Sequence, residues 1–509
     1  MIVLERLSRA LLEGNHEFPE NISVGTKEKL EEKVIQFGEG NFLRGFCDYM
    51  INKLNQNGYF NGSIVVVQPI AQGLAPMLNE QDGLYTHIRR GIENGKTVYE
   101  RNLITCISRA LNPYNEFSEY LALAHKESIR FIISNTTEAG IAYDPSNKFD
   151  DAPPSSFPGK LTVLLHERYK AFNGDVNKGF VILSCELIDN NGAVLKTCVD
   201  KYIDQWGLSE EFKNWVHEST FFASTLVDRI VTGYPRDEVA DLQKELGYDD
   251  HLIDTSEVFG LWAIEAPKKF SEEIPFHKAG LNVVWTDDVT PYKLRKVRVL
   301  NATHTMTVLA AFLDGKDTVG ECVKDELILK YMKKGLYEEA VPLMTLPKQD
   351  VLDFADSVFE RFSNPFIKHY CLTISLNSNS KFKVRNLPTI LGHFEKYHEV
   401  PTVMSFAFAA LIAFYRGTEI KDNALIGSRN GVPYKIIDDM PILEVYKDLW
   451  SRFDGTKEGT EKLVKEVLAK DFIWGLDLNT IDGLATKVSD YLYGIVTRGV
   501  RAVMEEVAK

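Results

Sequence analysis

The residues best suited to acid–base chemistry lie close together at Lys296, Asn301 and His304. Pro291 suits the first position of a helix. At 3.6 residues per turn, the three side chains fall within an arc of about 140°. Hydride transfer to a carbonyl needs a proton donor and a dipole that stabilises negative charge on oxygen. Lys296 and Asn301 meet both needs without a metal, although a solvated helix face with one core histidine is the alternative.

A glycine-rich turn, Gly38, Gly40 and Gly45, follows a predicted strand (33–37) and precedes a predicted helix (42–57). The first two glycines allow the backbone to approach a pyrophosphate, which then faces the helix N-terminus. Gly45 comes two places later than in the usual fingerprint, so a tight turn without a ligand is the alternative. The second strand ends in Gln68, which can accept the ribose hydrogen bond that a carboxylate usually accepts. No arginine follows to receive a 2′-phosphate, which favours NAD over NADP.

Short, β-branched strands alternate with helices in the first part of the chain. The strands are expected at 33–37, 63–67, 129–134 and 179–184, with helices at 42–57 and 161–171. This pattern predicts an α/β fold, a doubly wound Rossmann-like domain over residues 1–285, whose last strand is 281–285. Residues 286–509 are expected to form a mainly α-helical domain, with helices at 292–312, 325–337, 351–362, 403–415, 441–453, 460–468 and 486–507.

Lys381, Lys383 and Arg385 form a basic cluster in a chain whose formal net charge is −14. On a strand, residues two apart share a face, so all three can converge on one anion. An arginine and ammonium groups suit a carboxylate well. The alternative is an exposed, solvated basic segment.

Composition excludes several classes of function. The net charge of −14 and a pI near 5.4 exclude a nucleic-acid partner, which needs an electropositive face. Six scattered cysteines predict reduced thiols, with neither disulfides nor a metal site. The longest apolar run has about 13 residues, against the roughly 20 needed to span a bilayer. We expect a cytoplasmic protein with no membrane partner and leave its oligomeric state open. A methyltransferase and a non-catalytic nucleotide sensor are the alternatives from other classes.

Several motifs together resemble the long-chain mannitol dehydrogenase family of polyol and sugar-acid dehydrogenases. They are Gly38-x-Gly-Asn-Phe-x-Arg-Gly45, Lys296-x-Arg-x-x-Asn-x-x-His304, Ser134-Asn-Thr-Thr-Glu138, Phe157-Pro-Gly-Lys-Leu161, Val227-Asp-Arg-Ile230 and Arg361-Phe-Ser-Asn-Pro365. Within the family, the hexuronate-reducing members look most similar, through Cys185-Glu-Leu-Ile188, Val231-Thr-Gly-Tyr-Pro235 and Ser380-Lys-Phe-Lys-Val-Arg385.

The resemblance implies a role for each matched residue. Lys296 is similar to the family's general acid–base and Asn301 to the group that polarises the substrate oxygen. His304 and Asp228 then orient the substrate, and Lys381 binds it. The residues that the resemblance and the turn assign to NAD are Phe37, Gly38, Gly40, Asn41, Phe42, Arg44, Gln68, Thr136 and Glu138.

Two departures bear on the substrate, which is expected to be a small sugar acid. Leu187 stands where the polyol dehydrogenases have a second oxyanion-stabilising asparagine, and Thr373 where they carry an arginine. The pocket is therefore expected to differ from that for a plain polyol. The resemblance implies NAD-dependent reduction of the keto group of D-tagaturonate to D-altronate, and the reverse. D-Fructuronate and mannitol 1-phosphate are the alternative substrates.

Overall fold

The computed structural model describes residues 4–14, 16–137 and 139–509. Its chain divides into two compact units, one that ends at Val289 and one that spans Thr290–Lys509. No helix in these ranges combines the length and the apolar character needed to cross a membrane.

The first unit is an α/β structure. In chain order, its strands are β1 (Ile22–Val24), β2 (Glu32–Phe37), β3 (Ser63–Val67), β4 (Tyr85–Glu93), β5 (Lys96–Ile104), β6 (Ile107–Leu111), β7 (Phe131–Ser134), β8 (Val181–Ser184), β9 (Phe221–Asp228), β10 (Val231–Gly233), β11 (Asp254–Ser256), β12 (Leu261–Glu265) and β13 (Val283–Thr286). Its helices are α1 (Arg9–Glu13), α2 (Asn41–Leu43), α3 (Tyr49–Gln56), α4 (Ala75–Glu80), α5 (Phe117–Ala122), α6 (Phe157–Ala171), α7 (Asn191–Gln205), α8 (Glu210–Ser219), α9 (Val239–Leu246) and α10 (Phe270–Glu273).

The main sheet has the strand order β13-β12-β9-β8-β7-β2-β3-β6. From β9 to β6 all neighbours are parallel, and β12 is antiparallel to β9. Every side chain of β3, β7 and β8 is buried, because helices cover both faces of a doubly wound sheet. The expected Rossmann-like architecture is confirmed.

A second sheet of the first unit, with the order β1-β5-β4-β11-β10, is not anticipated by the sequence analysis. Its centre is the long hairpin β4–β5, in which Tyr85 pairs with Ile104 and Glu93 with Lys96. This sheet packs a smaller core of its own, to which Leu7, Leu11 and Leu12 of the N-terminal segment contribute.

The second unit is mainly helical, as expected. Its helices are α11 (Thr290–Arg295), α12 (Ala302–Leu313), α13 (Val319–Lys324), α14 (Glu326–Lys334), α15 (Lys348–Phe362), α16 (Cys371–Ile374), α17 (Ser378–Arg385), α18 (Leu387–Tyr397), α19 (Thr402–Phe414), α20 (Met440–Ser451), α21 (Lys457–Leu468), α22 (Asp471–Trp474), α23 (Leu484–Arg498) and α24 (Val500–Val507). A small antiparallel sheet is formed by β14 (Gly417–Lys421), β15 (Ala424–Arg429) and β16 (Val432–Ile436).

Helix α19 forms the centre of this unit. All its side chains from Val403 to Phe414 are buried, and it packs against α12 and α23. Its first amide groups would be left without acceptors inside such a core. Glu339 accepts them, with Oε1 at 2.7 Å from the nitrogen of Val403 and Oε2 at 3.0 Å from that of Met404. This buried carboxylate therefore fixes the start of the central helix.

Candidate active site

The carboxyl ends of the parallel strands meet at one edge of the main sheet, which we call the cofactor edge. The register aligns Phe37 of β2 with Val67 of β3 on one side and with Ser134 of β7 on the other. Strands β3 and β6 lie outward from β2, whereas β7, β8 and β9 extend in the other direction. The order thus reverses between β2 and β7, and open α/β sheets bind ligands at such a switch point.

Gly38 turns the chain at this edge. Its φ of +118° is a conformation that side chains rarely adopt, and a Cβ there would lie 2.8 Å from the carbonyl oxygen of Asn135. The amide of Gly38 donates to Val67, at 3.1 Å. Gly40 follows as the N-cap of the helix, and a Cβ on it would meet nothing within 4 Å. The turn therefore leaves open space at Gly40, where the backbone can approach a ligand.

The other turn residues divide into exposed and supporting groups. Asn41 is exposed, whereas Phe42 is half-buried and Phe37 is buried in the core. Arg44 is also buried: its guanidinium donates to the carbonyl of Leu252 at 2.6 Å and to Oδ1 of Asn41 at 2.7 Å. Arg44 therefore stabilises the turn from its buried side, whereas Gly40 and Asn41 are exposed to solvent.

Two other residues assigned to the cofactor are already bonded within the protein. Gln68 is buried, with Nε2 donating to the carbonyl of Ile70 at 2.8 Å and Oε1 accepting from the amide of Ala75 at 3.1 Å. Thr136 donates from its amide and from Oγ1 to Oε1 of Glu186, each at 3.0 Å. Glu186, which lies in a motif quoted above but was given no role, thus positions the loop after β7. Glu138 lies outside the described residues.

Beneath the turn, two carboxyl groups are fully buried beside Arg44. Burial raises the pKa of Asp48 and of Asp254 to about 7, and the nearby positive charge of Arg44 opposes the rise. The phenol of Tyr85 donates to Asp48 at 3.0 Å. A carboxyl whose pKa is higher in the folded than in the unfolded chain costs stability as the pH rises from about 4 to about 7.

We therefore expect Asp254→Asn to raise the apparent Tm at pH 8 by about 2–5 °C. The amide carries no charge to desolvate, so the difference from wild type should become small near about pH 3, where Asp254 is mostly protonated in both states. Thermal melts across this pH range measure the effect, and Asp237→Asn, at an exposed loop position, is the matched control. An equal drop in Tm at both pH values would instead make Asp254 a required partner of Arg44.

Asp228, expected to orient the substrate, is the last residue of β9 and is 2% exposed. It therefore lies at the carboxyl end of its strand, beside β8 on the sheet. The following guanidinium, that of Arg229, donates to the carbonyls of Gly45 and Phe259, each at 2.9 Å. Arg229 thus ties the first helix after the glycine turn to the loop that precedes β12.

In the second unit, Lys296 and Asn301 are the two ends of a π-helical turn, Lys296–Asn301, inserted between α11 and α12. The α-helical arc of about 140° assumed above therefore does not apply. A π turn repeats at i+5, so residues five apart come close to the same face, whereas an α-helix turns them away by more than a third of a turn. Both side chains are half-buried. The π turn therefore sets Lys296 and Asn301 closer to one face than the arc of a regular α-helix predicts.

His304 follows on α12 and lies in a cationic environment. Its ring centroid is 4.3 Å from that of Phe362 and 5.8 Å from that of His369. Burial lowers the pKa of His304 well below its usual range, and the positive charges of Arg361, Arg385 and Lys381 lower it further. Its Nε2 is buried and hydrogen-bonds to no described residue. His304 is therefore neutral at physiological pH and retains one free hydrogen-bonding position.

The basic cluster does not lie on a strand, and that prediction is wrong. Residues Ser378–Arg385 form helix α17, on which Lys381 and Arg385 are four apart and share a face, whereas Lys383 points the other way. Arg385 donates to Oγ1 of Thr305 on α12, at 3.2 Å. A Cβ on Gly475, the C-cap of α22, would lie 3.4 Å from Nζ of Lys383. The structure therefore brings Lys381 and Arg385 to His304 and leaves Lys383 elsewhere.

Two residues of this site are missing from the sequence-based assignment. Arg361 is the first residue of a quoted motif, which was the available signal, and is 5% exposed. His369 is a lone histidine without a motif, so no signal identified it. The resulting set, which we call the anion cluster, comprises His304, Arg361, His369, Lys381 and Arg385.

Comparisons with known proteins agree with both units. The family model described as the mannitol dehydrogenase Rossmann domain matches residues 32–278, and that of the mannitol dehydrogenase C-terminal domain matches residues 288–495. Altronate oxidoreductases from Shigella flexneri serotype 5b (strain 8401) and Escherichia coli O6:K15:H31 (strain 536 / UPEC) are 47% identical over 471 residues, covering 92% of this chain and 95% of each relative.

Two solved structures share the fold at low sequence identity. Substrate-free D-sorbitol dehydrogenase superposes with a TM-score of 0.81 at 22% identity, covering 98% of this chain and 100% of that one. Pseudomonas fluorescens mannitol 2-dehydrogenase, in a ternary complex with NAD and D-mannitol, gives a TM-score of 0.68 at 22% identity, with 99% of both chains covered.

Proposed function

This chain belongs to the mannitol dehydrogenase family, and we propose that it is an NAD-dependent dehydrogenase that reduces the keto group of D-tagaturonate to give D-altronate, and catalyses the reverse oxidation. The observation that carries the substrate class is the anion cluster around a neutral His304 whose Nε2 is buried. A carboxylate is the anion that distinguishes a sugar acid from a sugar. The name of the relatives at 47% identity, altronate oxidoreductase, supports the same substrate.

The cofactor edge has the features that a dinucleotide needs. The positive φ of Gly38 and the open space at Gly40 permit close approach of the pyrophosphate. No side chain of the described residues caps the helix that begins at Asn41, so its first amides remain available to an anion. When bound, NAD(H) supplies or accepts the hydride. The protein's contribution is to hold the pyrophosphate on backbone amides.

Lys296 and Asn301 carry the proton chemistry in this proposal. In reduction, the ammonium of Lys296 gives a proton to the substrate oxygen as that oxygen becomes an alkoxide. The amide NH₂ of Asn301 donates a hydrogen bond to the same oxygen and stabilises its developing charge. In oxidation, the neutral amine of Lys296 accepts the proton of the alcohol. The five-residue repeat of the π turn supports this proposal, because it turns positions 296 and 301 towards the same face.

The anion cluster positions the substrate. We assign the carboxylate to Lys381 and Arg385, which share one face of α17. Burial and the neighbouring charge of Arg385 lower the pKa of Lys381, so a bound anion relieves a repulsion between the two. Neutral His304 then offers Nε2 to a substrate hydroxyl. Asp228, at the carboxyl end of β9, is the second orienting residue in the proposal.

The test follows NADH absorbance with purified protein and one substrate at a time: D-tagaturonate, D-fructuronate and fructose 6-phosphate. Rapid oxidation with D-tagaturonate and slow oxidation with the others is the expected result. Preference for D-fructuronate or for the phosphate would keep the chemistry but overturn the substrate. NADH binding without turnover on any keto acid would point to a nucleotide sensor.

A further inference from the structure

The cofactor edge lacks a carboxylate where an NAD site normally has one. In Rossmann-type sites an acid at the end of the second strand of the main sheet, which is β3 here, binds the hydroxyls of the adenosine ribose. Gln68 directly follows that strand here, and both ends of its side-chain amide are bonded to its own loop, at Ile70 and Ala75. The ribose hydroxyls therefore need another acceptor.

A carboxylate reaches the same place from the glycine turn. Glu39, the residue between Gly38 and Gly40, is 8% exposed, and its Oε1 lies 3.4 Å from the amide nitrogen of Leu74. A Cβ on Gly73 would lie 2.1 Å from that oxygen and 2.7 Å from Oε1 of Gln68. The carboxylate of Glu39 thus rests against the loop that follows β3, next to Gln68.

The hydrogen bonds of this carboxylate with the protein do not use its full accepting capacity. Burial raises the pKa of Glu39, and the amides of Leu74 and of Glu39 itself, with the charge of Arg44, only partly oppose the rise. A carboxylate can accept about four hydrogen bonds, and its contact with Leu74 is long. Vicinal hydroxyls are donors of the kind that would complete its hydrogen bonding. A phosphate in the same place would be repelled.

We propose that Glu39 is the acid that binds the 2′- and 3′-hydroxyls of the adenosine ribose of NAD(H) and excludes the 2′-phosphate of NADP(H). The inference rests on the proposed use of NAD. Gly73 is required in this arrangement because any side chain there would displace the carboxylate. The glycine turn then provides the selectivity for NAD(H) over NADP(H), which in other Rossmann-type sites comes from the strand equivalent to β3.

The test measures dissociation constants for NADH and NADPH by fluorescence titration without substrate. Glu39→Gln keeps the length of the side chain and can still accept from Leu74, but removes the charge. We expect the ratio of the NADPH to the NADH dissociation constant to fall at least about tenfold in this variant, since charge-assisted hydrogen bonds are lost and repulsion is relieved. Glu31→Gln, at an exposed residue before β2, should leave the ratio unchanged.

A second variant covers the case in which Glu39→Gln does not fold. Gly73→Ala leaves the charge in place but forces the carboxylate to move, and it should shift the ratio in the same direction. An unchanged ratio in both folded variants, with NADH still preferred, would overturn the role of Glu39 alone. Failure of the wild-type protein to bind NADH, or its preference for NADPH, would overturn both the proposed cofactor and this inference.

Discussion

Lys296→Ala is expected to lower turnover by about 10²–10⁴-fold in either direction, the usual effect of losing a general acid–base. Lys296 and Asn301 are the two ends of the π turn, and Lys296 is the only group proposed to exchange the proton with the substrate oxygen. Steady-state rates with D-tagaturonate and NADH measure the loss. The dissociation constant for NADH should change less than about twofold, because the residues proposed to hold the nucleotide belong to the other unit.

Two further variants separate proton transfer from charge. Lys296→Arg keeps a positive charge, but a guanidinium remains protonated and cannot accept the alcohol proton, so oxidation of D-altronate should stay impaired. Lys293→Ala removes a lysine from α11, one turn earlier, and should retain most activity. Added methylamine should partly restore Lys296→Ala. Turnover close to that of the wild type in Lys296→Ala would exclude Lys296 as the acid–base.

The parallel sheet is the part of the fold that the sequence predicts best. The expected strand at 63–67 matches β3, Ser63–Val67, and that at 33–37 matches β2, Glu32–Phe37, within one residue. Central strands of a doubly wound sheet are buried on both faces, so they appear as unbroken β-branched runs. The glycine turn after β2 is predicted equally well. At position 38 the positive φ and the nearby carbonyl of Asn135 favour glycine over any other residue.

The sequence analysis does not predict the second sheet of the first unit or the small sheet of the second unit, although turn residues in the sequence indicate a hairpin in each. Asn94 and Gly95, with φ of 52° and 71°, turn the hairpin β4–β5, and Asn430 and Gly431 do the same for β15–β16. Asn-Gly between two extended runs is a strong hairpin signal. The hairpin strands β4 and β5 carry several charged residues, even though most of β4 is buried, and they therefore do not resemble the apolar, β-branched strands of the main sheet.

The candidate site was only partly predictable because local sequence does not encode its geometry. The alternation Lys-Phe-Lys-Val-Arg fits a strand, yet Phe382 is fully buried on helix α17, where its ring packs against Phe408. Packing in the second unit thus overrides the local pattern. The π turn at Lys296–Asn301 leaves no mark that distinguishes it from a regular helix. Motifs contain most of the candidate site residues, but not His369, and the fold determines which of them lie near one another.

Helix α17 provides the second test with a large expected effect. Lys381→Ala should lower kcat/KM for D-tagaturonate by about 10–100-fold, mainly through a higher KM, because a hydrogen bond to a charged group is lost. Lys383→Ala should change it less than about threefold, since Lys383 lies against Gly475 on the opposite face of the same helix. Both variants replace a lysine of α17 by alanine, so a general loss of helix stability should affect both equally.

The substrate carboxylate should account for the difference between these variants. With D-tagatose, a neutral ketose, we expect low activity in every form of the enzyme, and Lys381→Ala should reduce it only slightly, because no carboxylate is present to lose its partner. Arg385→Gln should resemble Lys381→Ala, since both residues face His304. Equal losses in Lys381→Ala and Lys383→Ala, or equal losses with D-tagatose and D-tagaturonate, would show that α17 does not bind the carboxylate, and the anion cluster would then have to bind another part of the substrate.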